Sequence, residues 1–336
     1  MRAIPWKQLL LSLGIIAVII WRVPFGGLRA AFRSLEMGSL FLALFSLLVS
    51  LALRTYRWHG LMSAAGKRCL RQSLRSLFGG FALGLMTPGR LGELGRFVFV
   101  REHERAQVAL LTVFDRLLDF WALLTAMGAS LFFVAPRPVA VFGVAVWLAL
   151  LPVVMGFPAL VLHLSKLAQK SRHFREHFVE ATAGMPLLRT PWFATLSVGT
   201  VVLELASFFF LLRAFFPIQC SAAIATYPYI MLAGDLPVSF GGVGVREGAA
   251  ALLLSPYSVP SGAAVGASLV WFLFAMLVPA GLGAIWLIVE RATAPPRRRS
   301  IEVAVPNAEP LWAPALLSPS PSSLAAESAA PRCEAG

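Results

Sequence analysis

The chain has 336 residues, of which 58% are hydrophobic and only 13% charged, and its mean hydropathy is +0.77. Soluble domains carry about a quarter charged residues, so this composition excludes an ordinary soluble fold and defines an integral membrane protein. The net charge of +13 does not point to nucleic acid, because Lys and Arg fall in short blocks between apolar runs, a distribution that suits anionic lipid headgroups.

MRAIPWK followed by LLLSLGIIAVIIW has the charged start and apolar core of a signal peptide. Trp21, Arg22 and Pro24 follow it in place of a small-x-small cleavage site, which predicts a retained first helix. A spanning helix needs about 20 apolar residues, and six segments approach that length: 8–23, 38–53, 106–134, 138–163, 192–214 and 261–289. Segment 24–36, with Arg29 and Arg33, reads as an amphipathic surface piece. Two further runs, 76–86 and 222–236, are too short to cross comfortably. Each leads into a stretch where glycine, proline and charge interrupt the apolar sequence: TPGRLGELGR (87–96) and LPVSFGGVGVREG (236–248). The membrane domain is therefore predicted over 1–291, with a Pro/Ser/Ala-rich disordered tail over 292–336.

Loop 54–75 carries Arg54, Arg57, Lys67, Arg68, Arg71 and Arg75 with no acid, which places it in the cytoplasm. Loop 164–191, with Lys166, Lys170, Arg172, Arg175 and Arg189, and the Arg297–Arg299 cluster belong on the same side. These assignments agree for an all-α polytopic protein of six full spans plus two re-entrant or broken segments. In that arrangement 76–98 dips in from the cytoplasm and 222–256 from the outside, with both termini cytoplasmic. The pattern is that of an inverted-topology repeat, whose broken segments meet near the bilayer midplane. Eight ordinary spans with proline kinks are the alternative.

Broken helices beside ionisable side chains mark where a polar group is bound or moved within a membrane. In the first motif, Arg90, Glu93 and Arg96 recur at three-residue spacing after Pro88, so a helix starting near Gly89 puts them on one side. Guanidinium groups match phosphate oxygens, which makes Arg90 and Arg96 candidates to hold a phosphate, with Glu93 as counter-charge. A plain helix start, with arginine at the headgroups and Glu93 paired to Arg96, accounts for the same residues. In the second motif, Gly241, Gly242 and Gly244 precede Arg246 and Glu247. A glycine-rich turn at a helix start offers backbone N–H groups to anions, although the spacing is not that of a nucleotide site. An Arg246–Glu247 pair at the outer interface is the plainer reading.

The third span carries FDRLLDF, with Asp115, Arg116 and Asp119 well inside it, and Glu204 lies near the middle of the fifth. Such groups face a partner or a watery cavity. Arg116 can pair with Glu204, Glu93 or Asp235, and the choice stays open, as does the choice between a structural bridge and a role in transport. Cys69, Cys220 and Cys333 lie far apart, and the five histidines sit at span ends or in basic loops, so no metal site is expected. Neither a hydrolase motif nor an ATP-binding motif occurs, and no cofactor is expected.

PGRLGELGR with the following Arg101 and Glu102, FDRLLDF, and PVSFGGVGVREG together resemble the membrane domain of the lysylphosphatidylglycerol synthase and flippase-like family, over about residues 8–290. The resemblance implies a polytopic inner-membrane protein that handles a lipid or lipid-linked substrate. It also implies that Arg90, Glu93, Arg96, Arg246 and Glu247 belong to the site. Bifunctional members carry a cytoplasmic synthase domain after the membrane domain. Here only about 46 residues of low-complexity sequence follow position 290, so lipid aminoacylation is not expected.

Two functions follow as expectations. One is a flippase-like transporter of a lipid with an anionic headgroup, with Asp115, Asp119 and Glu204 as titratable groups for ion coupling. The other is an accessory protein or intramembrane transferase that presents a phospholipid, glycolipid or polyprenyl phosphate to a lipid-synthesising partner enzyme. Membrane lipids are the expected partners in either case, nucleic acid is not, and the oligomeric state stays open. High Arg, Ala and Pro usage points to a GC-rich bacterial genome, and the resemblance implies that the membrane is the bacterial inner membrane.

Overall fold

In the computed structural model, the described residues are 35–64, 69–100, 105–134, 189–239 and 241–293, with residue 66 and scattered positions between 141 and 163. The predicted first span, nearly all of segment 24–36, most of the fourth span, loop 164–188 and the tail beyond 293 lie outside them. The chain divides into a compact unit, Met1–Leu287, and a second unit, Ile288–Gly336, of which only the end of the last helix is described.

Among the described residues the protein is all-helical, with no strand. Helix α1 is Met37–Ala64, α2 Leu70–Leu85, and a 3-10 segment follows over Leu91–Phe99. Helix α3 is Arg105–Val134, α4 Thr190–Phe215, α5 Cys220–Asp235 and α6 Val245–Leu254. The last apolar stretch is α7 (Ser261–Phe272), a π-helical turn over Leu273–Leu277, and α8 (Val278–Thr293). That π turn precedes Pro279, which has no N–H to give to the carbonyl of Ala275 and would crowd it, so the wider turn relieves both problems. Among the described residues, three helical stretches are long and apolar enough to cross a membrane: Met37–Ser63, Thr190–Phe215 and Ser261–Glu290.

One boundary differs in substance from the sequence reading. The second span was expected to end at residue 53, with Arg54 and Arg57 in a cytoplasmic loop, but α1 continues to Ala64 and Arg57 has no exposed surface. The two arginines lie three residues apart and so on one helix face, where partners on α3 and α4 hold them. Two of the six cations counted toward that loop's charge therefore belong to the protein interior.

The short runs form α2 and α5, each of 16 residues. At about 1.5 Å per residue each spans about 24 Å, short of a hydrocarbon core of about 30 Å. Pro88 cannot extend α2, and the chain turns at Arg90, whose φ of 59° is left-handed. Residues 89–97 read Gly-Arg-Leu, Gly-Glu-Leu, Gly-Arg-Phe, and a 3-10 helix has three residues per turn, so each column becomes one face. The glycine column allows close approach: a Cβ on Gly92 would stand 2.1 Å from the carbonyl oxygen of Leu83 in α2. Glu93 and Arg96, in the charged column, are fully buried, their stems lying over Gly84 and Gly80 of α2. Leu91 and Leu94 face outward. Thr87 tightens the corner by accepting the Gly92 N–H at 2.5 Å and donating to the Leu83 carbonyl at 3.2 Å.

The second break is built the same way. A Cβ on Gly242 would stand 2.2 Å from the Gly234 carbonyl oxygen, so α6 can pack closely back on α5. The two corners bond to each other: Gly89 N–H donates to Ser239 O at 3.3 Å and Gly241 N–H to Thr87 O at 3.5 Å. Around them lie two apolar clusters. One is built on Trp58, Leu77, Phe81, Phe114 and Phe193, the other on Phe208, Leu211, Ile230, Leu254 and Trp271.

Candidate functional site

Among the described residues, six arginines pair with six carboxylates where the two breaks meet α1, α3 and α4. Asp115 sits at the centre, fully buried, forming an ion pair with Arg57 at 2.8 Å and accepting a hydrogen bond from Arg96 at 2.7 Å. Arg57 also reaches Asp119 at 2.6 Å and donates to Ser197 of α4. Glu93 gathers Arg90 at 2.8 Å, Arg96 at 3.7 Å, and Arg116. The face of Trp58 covers the Arg96 guanidinium, whose carbon lies 4.6 Å from the ring centre. A buried charge is costly unless it is paired, and in this shared network each of these groups has at least one opposite charge within 4 Å.

Glu204 forms a second node. It accepts from Arg54 at 2.8 Å, Tyr227 at 3.1 Å and Ser50 at 3.3 Å, joining α4, α1 and α5. Of the three pairings open to Arg116, the structure has the one with Glu93, while Glu204 takes Arg54, and Arg90 takes Asp235 at 3.2 Å. This last bridge joins the first break to the second.

Arg246 and Glu247 form the third node. Glu247 accepts the Gly244 N–H at 2.6 Å, capping α6, and binds Arg246 at 3.0 Å and the Ser268 hydroxyl at 3.2 Å. Arg246 donates through Nε to Ser268 at 3.3 Å and lies over Trp271 and Phe272, at 5.3 and 4.8 Å. These contacts fix the guanidinium through Nε, Nη2 and its face.

A cavity of about 270 Å³ opens among these nodes. Arg90, Arg116, Asp119, Glu204, Tyr227, Asp235 and Arg246 line it, together with Gly89, Gly234 and apolar side chains. Of the residues expected at the site, Arg90 and Arg246 reach the cavity, and so do Arg116, Asp119, Glu204 and Asp235 of the intramembrane charges. Glu93, Arg96, Asp115 and Glu247 stand behind this wall as its support, and Gly241, Gly242 and Gly244 shape the second corner. Arg54 and Arg57 were missed because they directly follow an apolar run and read as loop. Their three-residue separation, extended along the preceding helix, was the available signal. Arg101 and Glu102 lie outside the described residues.

These features define an all-helical membrane protein whose two broken segments meet at a charged cavity. The sequence model described as Lysylphosphatidylglycerol synthase TM region matches residues 7–283, and the chain belongs to that family. No curated protein matches it.

Proposed function

We propose that the protein is a flippase-like transporter of a lipid or lipid-linked substrate whose headgroup carries an anionic group such as phosphate. The observation that carries this reading is the cavity itself. It lies where the two breaks touch, and its wall presents the guanidinium groups of Arg90, Arg116 and Arg246. A phosphate bridging them would make charge-assisted bonds that a water-filled passage does not offer. Asp119, Glu204 and Asp235 in the same wall would receive hydroxyl or amine groups of the headgroup. Glu93, Arg96 and Glu247 act in this account by holding the cavity arginines in place.

The repeated element order supports movement across the bilayer. A long helix, a 16-residue helix, a break, a short returning helix and a long helix occur first as α1 to α3 and again as α4 to α8. The reciprocal hydrogen bonds of the corners fit a pseudo-two-fold relation between these units, with two re-entrant segments of opposite direction. Rocking of one unit against the other would open the cavity to each leaflet in turn. We place the protein in a bacterial inner membrane, with passive or ion-coupled transport.

The second reading, an accessory protein or intramembrane transferase, needs access from one side only. A variant free of Cys69, Cys220 and Cys333 and carrying Met231→Cys, on the cavity wall, separates the two. A membrane-impermeant maleimide should label it from either side in sealed vesicles. Labelling from a single side under every condition contradicts transport and favours the second reading.

A further inference from the structure

The cavity is lined by apolar as well as charged residues, and of the apolar ones Leu91, Leu94 and Phe120 are 57%, 37% and 51% exposed. Leu123, Val201 and Met231 also line it, and all three are buried in one apolar cluster. Phe120 stands four residues from Arg116 on α3, so one helix face runs from a guanidinium to an uncovered aromatic ring. Leu91 and Leu94 are the outward column of the 3-10 segment, whose charged column is fixed in the core. The three exposed side chains are therefore held in position by the same ion pairs that shape the cavity.

Exposed apolar side chains are ordinary on a surface that meets lipid. Here they line a charged cavity whose other apolar lining residues, Leu123, Val201 and Met231, are buried. A cavity that took only water-soluble ligands would gain nothing from such a lining. We propose that Leu91, Leu94 and Phe120 form a lateral portal to the hydrocarbon of the bilayer, and that a substrate's acyl or prenyl chain lies in it, reaching Leu123 and Met231, while the headgroup sits at the arginines. This rests on the lipid-substrate reading above and deepens it by assigning the chain its own subsite. The chain is never moved into water, so only the headgroup has to be sheltered.

Two readouts test it, and neither requires lipid to change leaflets. In the variant free of Cys69, Cys220 and Cys333, a nitroxide is placed at Phe120→Cys, or at Leu94→Cys should the first fold poorly. In phosphatidylglycerol and phosphatidylethanolamine vesicles, its collisions with oxygen should exceed those with a water-soluble nickel chelate several-fold. Equal or reversed accessibility, or protection from both reagents, overturns the portal. Separately, the parent protein is photolysed with phosphatidylglycerol carrying a diazirine midway along one acyl chain. Adducts on Leu123 or Met231 support the chain subsite. Adducts confined to outward residues such as Leu252 and Ile285, 73% and 60% exposed, overturn it. A portal confirmed in a protein that exchanges no lipid would sink the transport reading and leave this inference standing.

Discussion

Replacing Arg57 by methionine should destabilise the protein more than any single change at the cavity rim. Arg57 has no exposed surface and holds Asp115 at 2.8 Å and Asp119 at 2.6 Å. Without it Asp115 keeps Arg96, but Asp119 keeps only Arg116 at 3.9 Å. Removing one partner of a buried pair costs about 3 to 5 kcal/mol, largely because the remaining charge is left uncompensated. At about 2 to 4 °C per kcal/mol for chains of 150 to 250 residues, melting in mild detergent should fall by about 10 °C. The double variant Arg57→Met, Asp119→Asn should recover part of that loss, because it removes the stranded carboxylate. The assay is the loss of monodisperse protein on size exclusion after heating, and the two singles and the double form a cycle. A melting temperature unchanged in Arg57→Met, or a double variant as unstable as the sum of both singles, would refute the claim that α1 enters the charged core.

The remaining predictions concern the breaks and the rim. Gly92→Ala and Gly242→Ala place a methyl 2.1 and 2.2 Å from backbone carbonyl oxygens, so both should fold poorly, whereas Gly128→Ala, with open space around it, should not; monodisperse yield after purification distinguishes them. The Arg90–Asp235 bridge is partly exposed, at 13% and 45% of the two side chains, and such bridges are worth about 0 to 1 kcal/mol. Asp235→Asn should therefore leave melting nearly unchanged while slowing lipid exchange, and Asp235→Glu, which keeps a carboxylate for Arg90, should retain more of the rate. Equal rates in Asp235→Asn and the parent would mean that the bridge between the breaks is not used. Glu204→Gln removes the charge facing Arg54, and should lower both stability and exchange; unchanged values in both assays would remove Glu204 from the account.

The positions of several helices could be read from the sequence, because length and apolar character decide where such a helix lies. The fifth span was expected over 192–214 and α4 is Thr190–Phe215; the third was expected over 106–134 and α3 is Arg105–Val134. The two breaks were legible because proline and glycine act locally on the backbone. The Gly-Arg-Leu column pattern foreshadows a 3-10 helix, but only packing against α2 selects it over an α-helix. Pairings were not legible, since an arginine beside three carboxylates in the sequence is equally compatible with each. Arg54 and Arg57 show the deeper limit. A charge after an apolar run reads as the end of a span, and only acids on other helices, Glu204, Asp115 and Asp119, make it the continuation of one.

The claim that this cavity carries lipid across the bilayer is tested most directly by leaflet exchange. Fluorescent phospholipids and prenyl-linked lipids would be reconstituted with the purified protein, with Arg246→Ala in parallel and protein-free vesicles as the baseline. Exchange well above baseline for at least one lipid, and at least tenfold slower in Arg246→Ala, is the predicted result; a tenfold effect corresponds to about 1.4 kcal/mol. Exchange at baseline for every lipid, with both proteins folded, would contradict it.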